Sequence, residues 1–317
     1  LRLTVESLSF GGDAVGHADD GRVVFVPGGA PGDRVEVEVE EEHKSWLRGG
    51  ELRVLEAGAA RVEPVCPAFT AGCGGCQWQH VDIAAQRAAK EDIVRRALRH
   101  VAPMVEPLRA PGPALGWRRR ARLRVRRGVL GYVRQRSHEL VEALACPQLE
   151  PSLEAALAYL RVELAPRVAG AAEVELLLGA GGAVLVALDG PGVAEHAPAL
   201  VGHAGIVGVR AGAASWGEAT VDLGDGAAPF HARADVFAQA SAAGNDLLRA
   251  LVRELAGPLE GRRVLELFAG SGNFTRDLLD AGATVVAVEE AGAAVALAAE
   301  NLAGRAVTLE ARAAAPP

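Results

Sequence analysis

The chain has 317 residues, 50% of them hydrophobic and 23% charged, with a net charge of −7. That length accommodates two or three domains with cores of their own, and the composition excludes low-complexity disorder. No run approaches the roughly 20 apolar residues that span a bilayer, no signal-peptide pattern opens the chain, and the acidic balance excludes a generally cationic nucleic-acid binder; a cytoplasmic protein without membrane contact is expected.

Residues 1–57 read as a small β-barrel. "LRLTVESLSF" alternates, Gly11 and Gly12 turn the chain, "GRVVFVPG" supplies another strand, and "DRVEVEVEEE" sets Val35, Val37 and Val39 inward against Glu36, Glu38 and Glu40. Short alternating strands punctuated by Gly and Pro suit an OB-like barrel. Its acidic strand cannot face phosphate, so any nucleic-acid contact must use another face.

Three of the four cysteines follow within "CPAFTAGCGGCQWQH", at Cys66, Cys73 and Cys76, and the fourth is Cys146 in "ALACP". Clustered thiols in a reducing cytosol argue against disulfides. The tight "CGGC" turn can point two sulfurs at one metal, and spacing alone leaves structural zinc and an iron–sulfur cluster equally open. A lone nucleophile is disfavoured because the thiols come as a set.

Residues 82–100 read as an amphipathic helix with Ile83, Ile93, Val94, Ala97 and Leu98 near one stripe. Residues 117–136 then carry nine arginines and no acidic residue. Arg120, Arg122, Arg124 and Arg126 alternate with apolar residues, so a half-buried strand presents four guanidinium groups on one face. Either this is a solvated face or it binds polyanions; bidentate phosphate contact is the expectation carried forward. Residues 174–188 read as a hairpin of buried strands, and residues 151–225 as mixed α and β structure.

From about residue 228 the pattern is a helix, then "RRVLELFAGSGNFTRDLLDAGATVVAVEE": strand, Gly-rich turn, helix, strand. This opens a doubly wound α/β unit. Phe268 ends the first strand, and Gly270 and Gly272 let the backbone approach a ligand. Thr275 stands where a dinucleotide fingerprint has its third glycine, which favours a nucleoside without a pyrophosphate. Glu289, closing the second strand, can accept from ribose hydroxyls.

The cysteine stretch, with "GWRRRARLRV", "GYVRQRSHELV", "ALACP" and "FAGSGNF", closely resembles the iron–sulfur-containing RNA uracil-5-methyltransferases. The upstream "GGDAVGHADDGRVVFVPGGAPGDRVEVEV" resembles that family's RNA-binding TRAM barrel. The resemblance implies a multidomain fold: a TRAM barrel (1–57), an α+β iron–sulfur and RNA-binding domain (58–227), and the start of a Rossmann-like methyltransferase domain (228–317). It implies that Cys66, Cys73, Cys76 and Cys146 hold a [4Fe-4S] cluster. It also implies that Gln239 in "VFAQAS", Phe268, Asn273 and Glu289 contact S-adenosylmethionine around Gly270 and Gly272.

Two departures stand out: the family's Asn is Ser241 here, and Ala313 or a neighbour stands where an Asp or Asn contacts adenine. The family's reaction needs a thiolate at C6 of uracil and a base for the C5 proton. With all four thiols matched to the cluster, no catalytic residue is assigned. The chain therefore reads as a C-terminally shortened member, a monomer acting on RNA, most of all 23S ribosomal RNA, and inactive by itself. Its Ala- and Pro-rich ending does not look like a built terminus. The alternatives are a non-catalytic RNA-binding iron–sulfur protein or a relative acting on transfer RNA.

Overall fold

The computed structural model describes residues 1–101, 104–224 and 228–313; the expected domain boundary at 227 and the last four residues of the Ala- and Pro-rich ending lie outside them. The chain divides into two compact units, residues 1–110 with 134–139, and residues 111–133 with 140–317.

The first unit is built on six strands, β1 (Arg2–Thr4), β2 (Ser7–Leu8), β3 (Ala14–His17), β4 (Val23–Val26), β5 (Arg34–Glu42) and β6 (Trp46–Glu56). They form one sheet in the order β1-β5-β6-β4-β3-β2. Its inner face buries Val5, Ala14, Val24, Val26, Val35 and Val37. The inward alternation expected of β5 holds for Val35 and Val37 and fails at Val39, which is 38% exposed. Register shifts on either side of Val39 carry the strand past the core.

Asp33 fastens the end of this sheet. Its carboxylate accepts from the backbone N–H of Ala30 at 2.7 Å and Gly58 at 2.9 Å, and from Arg61 Nη2 at 2.6 Å. Burial alone would raise its pKa, but Arg61 and the two backbone donors more than offset that and hold it low.

Helices α1 (Pro67–Thr70) and α2 (Ile83–Leu98) follow. Asp82 caps α2 by accepting from Ala84 N–H at 2.8 Å. The stripe expected to face the core does not: Ile83, Val94 and Leu98 are exposed, and the residues packed on the barrel core are Ala85 and Ala89. Small residues on the opposite side let the helix approach closely, which a hydrophobicity pattern weights against.

The second unit opens with β7 (Arg120–Arg126), β8 (Val129–Val133), β9 (Leu140–Glu142) and α3 (Pro151–Glu163). It continues with β10 (Ala171–Leu178), β11 (Val184–Asp189), β12 (Ile206–Ala211) and β13 (Ala214–Gly217). These seven strands pair in the order β13-β12-β11-β10-β7-β8-β9. The expected hairpin is β10–β11, turned through Gly181 and Gly182 at φ 69° and 85°. One sheet face is covered by α3, whose Leu153, Leu157 and Leu160 are fully buried with Leu123 and Leu176.

A short hairpin, β14 (Val221–Asp222) with β15 (His231–Ala232), leads to α4 (Ala242–Ala256). The chain then alternates β16 (Arg263–Leu267), α5 (Thr275–Asp280), β17 (Thr284–Glu289), α6 (Gly292–Asn301) and β18 (Val307–Ala311). The three strands are parallel in the order β16-β17-β18, as the doubly wound reading requires. β16 is an edge strand with Leu265 and Leu267 exposed. Among the described residues no helix is long and apolar enough to cross a membrane.

Candidate functional site

The turn after β16 carries most of the sequence-predicted cofactor residues. Phe268 adopts φ 59°, a left-handed conformation unusual for an aromatic residue, and its side chain is 78% exposed. Gly270 and Gly272 follow at φ 58° and 89°. A Cβ on Gly272 would meet Leu302 Cδ1 at 3.0 Å, so that glycine is needed for packing. A Cβ on Gly270 would meet nothing within 4 Å, so there the loop borders open space. Glu289, at the end of β17, holds the turn: one carboxylate oxygen accepts from Gly270 N–H and the other from Ala291 N–H, each at 2.9 Å.

Asn245, Asn301, Arg249, Asp277 and Glu266, which sequence reasoning did not single out, support this turn and the helix after it. Asn273 and Asn245 of α4 exchange amide hydrogen bonds at 2.8 and 3.1 Å. Asn301, ending α6, donates to the carbonyls of Ser271 and His231 and accepts from His231 N–H at 2.9 Å. Arg249 grips the buried carboxylate of Asp277 at 2.6 and 2.8 Å. Thr275 Oγ1 donates to Glu266 at 2.7 Å; burial pushes the Glu266 carboxyl up, and the Thr275 bond opposes that only in part. The available signal was polar residues within otherwise apolar helices, Asn245 in "AAGNDLL" above all.

Gln239 lies in the irregular segment before α4 and is half-buried, its carbonyl accepting from Arg119 Nε at 3.0 Å. The departure at Ser241 has a structural use: it is the N-cap of α4, its hydroxyl accepting from Gly244 N–H at 3.0 Å.

The arginine strand forms as expected over Arg120–Arg126, but much of its charge is offset. β10 lies alongside, with Glu175 opposite Arg122 and Glu173 opposite Arg124. Glu175 pairs with Arg120, and Glu173 with both Arg122 and Arg124. Arg122 beside Glu173 holds that carboxyl below its usual range. The two glutamates lie about fifty residues away in sequence, beyond the reach of a local charge count. A cavity of about 260 Å³ opens beside this network, with Asp189, Arg210 and Asp235 on its other walls.

The cysteines are all free thiols, Cys66 buried and the others partly so. Gly75 N–H points at Cys73 Sγ at 3.5 Å, and Gln79 Nε2 donates to Cys76 Sγ at 3.3 Å. Such donors suit thiolates, and a set of four thiols suits an iron–sulfur cluster in its chemistry. Among the described residues no three Cys, His, Asp or Glu side chains are gathered closely enough to hold a metal. Cys66, Cys73 and Cys76 belong to the first unit and Cys146 to the second.

The TRAM domain family matches residues 1–50. A 23S rRNA (uracil(1939)-C(5))-methyltransferase RlmD from Aromatoleum aromaticum is 34% identical over 94% of this chain and 74% of its own length. Its counterpart from Pectobacterium carotovorum is 34% identical over 95% of this chain and 71% of its own. Among solved structures, the Pyrococcus abyssi tRNA (uracil-54, C5)-methyltransferase in complex with S-adenosyl-L-homocysteine shares the fold. It has a TM-score of 0.77 over 98% of this chain and 79% of that one, at 19% identity. Similarity at this level along nearly the whole chain, together with the N-terminal TRAM match, places the protein: it belongs to the RNA uracil-C5-methyltransferase family.

Proposed function

We propose that the chain serves the S-adenosylmethionine-dependent methylation of C5 of a uridine in 23S ribosomal RNA. The observation that carries this reading is the turn of residues 268–273, held in a backbone shape that leaves room at Gly270, with the Glu289 carboxylate at its foot. Each Glu289 oxygen accepts one backbone N–H, so lone pairs remain for two ribose hydroxyls. The exposed Phe268 ring offers a flat apolar face to a purine. Asn273, after pairing with Asn245, keeps one amide N–H and one lone pair for the cofactor, and Gln239 contributes a second amide.

S-adenosylmethionine supplies the electrophilic methyl group. Uracil C5 becomes nucleophilic once a thiolate has added to C6, and a base then takes the C5 proton. Cys66, Cys73, Cys76 and Cys146 are proposed as ligands of a [4Fe-4S] cluster, a reading that rests on the family resemblance, since a set of four thiols suits zinc equally well. None is thereby assigned to the covalent step. In this reading residues 1–57 and 58–227 bind and place the RNA, residues 228–317 bind the cofactor, and the protein works as a cytoplasmic monomer.

The test is transfer of labelled methyl to 23S ribosomal RNA from an unmodified strain by the gene product, followed by nucleoside analysis. 5-Methyluridine at one site is expected; label in another nucleoside, or in transfer RNA alone, overturns the proposal. Turnover by the 317 residues alone would assign the nucleophile to one of the four cysteines and remove the cluster.

A further inference from the structure

The arginines that open β7 are engaged differently from those that close it. Residues 233–240, between β15 and α4, form no strand or helix of their own, so their carbonyls need donors from elsewhere. Two consecutive arginines supply them. Arg119, only 3% exposed, donates its backbone N–H to Ala240 O at 2.7 Å and its Nε to Gln239 O at 3.0 Å. Arg120 donates Nη1 to Val236 O at 3.0 Å and directs Nη2 to Ala234 O at 3.5 Å, while Glu175 holds the same guanidinium from the sheet side. The Arg120 guanidinium also lies over the Phe237 ring, 5.7 Å from its centroid.

Arg119 stands just before β7 and Arg120 begins it, so two adjacent residues grip this one segment. Their own backbone is fixed in turn. Leu178 N–H donates to Arg119 O at 2.8 Å, and Arg118, which bridges to Ser241, donates to Gln148 O at 2.8 Å.

We propose that Arg119 and Arg120 are positioning residues. They hold the 234–241 segment, and with it Gln239, against the central sheet, and they make no phosphate contact. Arg126, exposed at the far end of the same strand, is the member of the stripe left to meet RNA. The geometry explains why arginine is used: several carbonyls in one irregular segment need a rigid, multidentate donor, which lysine cannot provide. The consequence for cofactor affinity rests on the reading of Gln239 above; the clamp itself does not.

Hydrogen exchange on the whole chain separates the two. In Arg119→Lys and Arg120→Lys, which keep the charge and lose the fork, peptides covering residues 234–245 should exchange about tenfold faster, while those of α3 are unchanged. The Val236, Gly244 and Asn245 amides are hydrogen-bonded there and report the opening. S-adenosylhomocysteine affinity, measured by calorimetry, should fall about tenfold, and the salt slope of RNA binding should stay at its wild-type value. Arg126→Ala should do the reverse, lowering the log–log salt slope by about one unit with exchange unaltered.

Unchanged exchange across 234–245 in Arg120→Lys, or a log–log salt slope lowered by about one in Arg120→Ala, would overturn the proposal. If Arg119→Lys unfolds the unit, Arg120→Lys still decides the matter. If the wild-type chain binds no S-adenosylhomocysteine, the cofactor reading fails and the exchange result still judges the clamp.

Discussion

Two loops of this molecule carry residues suited to hold something the chain does not contain, and they are held in different ways. The loop after β16 is shaped from within. Glu289 fixes its backbone, Asn245 and Asn301 brace it from two helices, and Leu302 packs beneath Gly272. The cysteine loop is fastened at its edges. Trp78 donates to Gly12 O at 2.9 Å, His80 meets Gly29 O at 3.0 Å, and Gln135 N–H reaches Gly72 O at 3.3 Å. Those bonds tie the loop to the six-stranded sheet and its flanking turns. A loop that meets only the uncharged ribose and base of a ligand can be built by hydrogen bonds alone. A site of four thiolates repels itself until a cation draws it together, so folding and metal binding are one event there.

The largest effect expected from this contrast concerns the metal. Protein purified without air should carry about four irons per chain, and Cys146→Ser should lose them. Chelation should raise the exchange or proteolysis of residues 66–80 by two orders of magnitude or so and leave residues 264–275 as they were. Stoichiometric zinc without iron, or equal loosening of both loops, would break the comparison.

Next in size is Glu289→Ala. It removes an acceptor for the ribose and frees the Gly270 and Ala291 N–H groups. A loss of about a hundredfold in S-adenosylhomocysteine affinity is expected by calorimetry, with iron content unaltered. A change below about twofold would remove Glu289 from the site. Gly270→Ala should cost about 1 kcal/mol of stability, since its φ is 58° with open space around it. Gly272→Ala should cost more, because it adds the Leu302 clash, and thermal melts would rank the two.

The smallest effects are in pH, and the two units should respond with opposite sign. Burial depresses the pKa of His80, despite its bond to Gly29, below the ordinary 6.5. The unfolded chain then takes up a proton that the folded one refuses, so the first unit loses stability as pH falls from about 6.5 toward the depressed value. Burial raises Glu266 above 4.5, so its contribution in the second unit is greatest below that value and declines as pH rises through the raised one. His80→Gln should flatten the first dependence and Glu266→Gln the second, each followed by denaturant melts across pH.

What could be read from the sequence was whatever local pattern determines. The alternating strands of the first sheet, the β10–β11 hairpin, the parallel β16-β17-β18 order and the glycines of the turn after β16 all follow from neighbours within a few residues. The errors came from distance. Glu173 and Glu175 offset much of the arginine strand's charge from a partner strand, and Ala85 and Ala89 displace the expected apolar stripe of α2. Asn245 and Asn301 brace the turn from helices whose polar residues looked incidental. Ser241, noted as a departure from the family pattern, is a helix cap whose role only the fold reveals.

The most direct test of the central claim, that residues 268–273 with Glu289 form the cofactor site, is photo-crosslinking of labelled S-adenosylmethionine followed by peptide mapping. Label should appear on the peptide spanning residues 264–275, centred on the exposed Phe268 ring, and S-adenosylhomocysteine should compete it away. Label confined to another part of the chain, or label on this peptide that persists in Glu289→Ala and resists competition, would contradict the account.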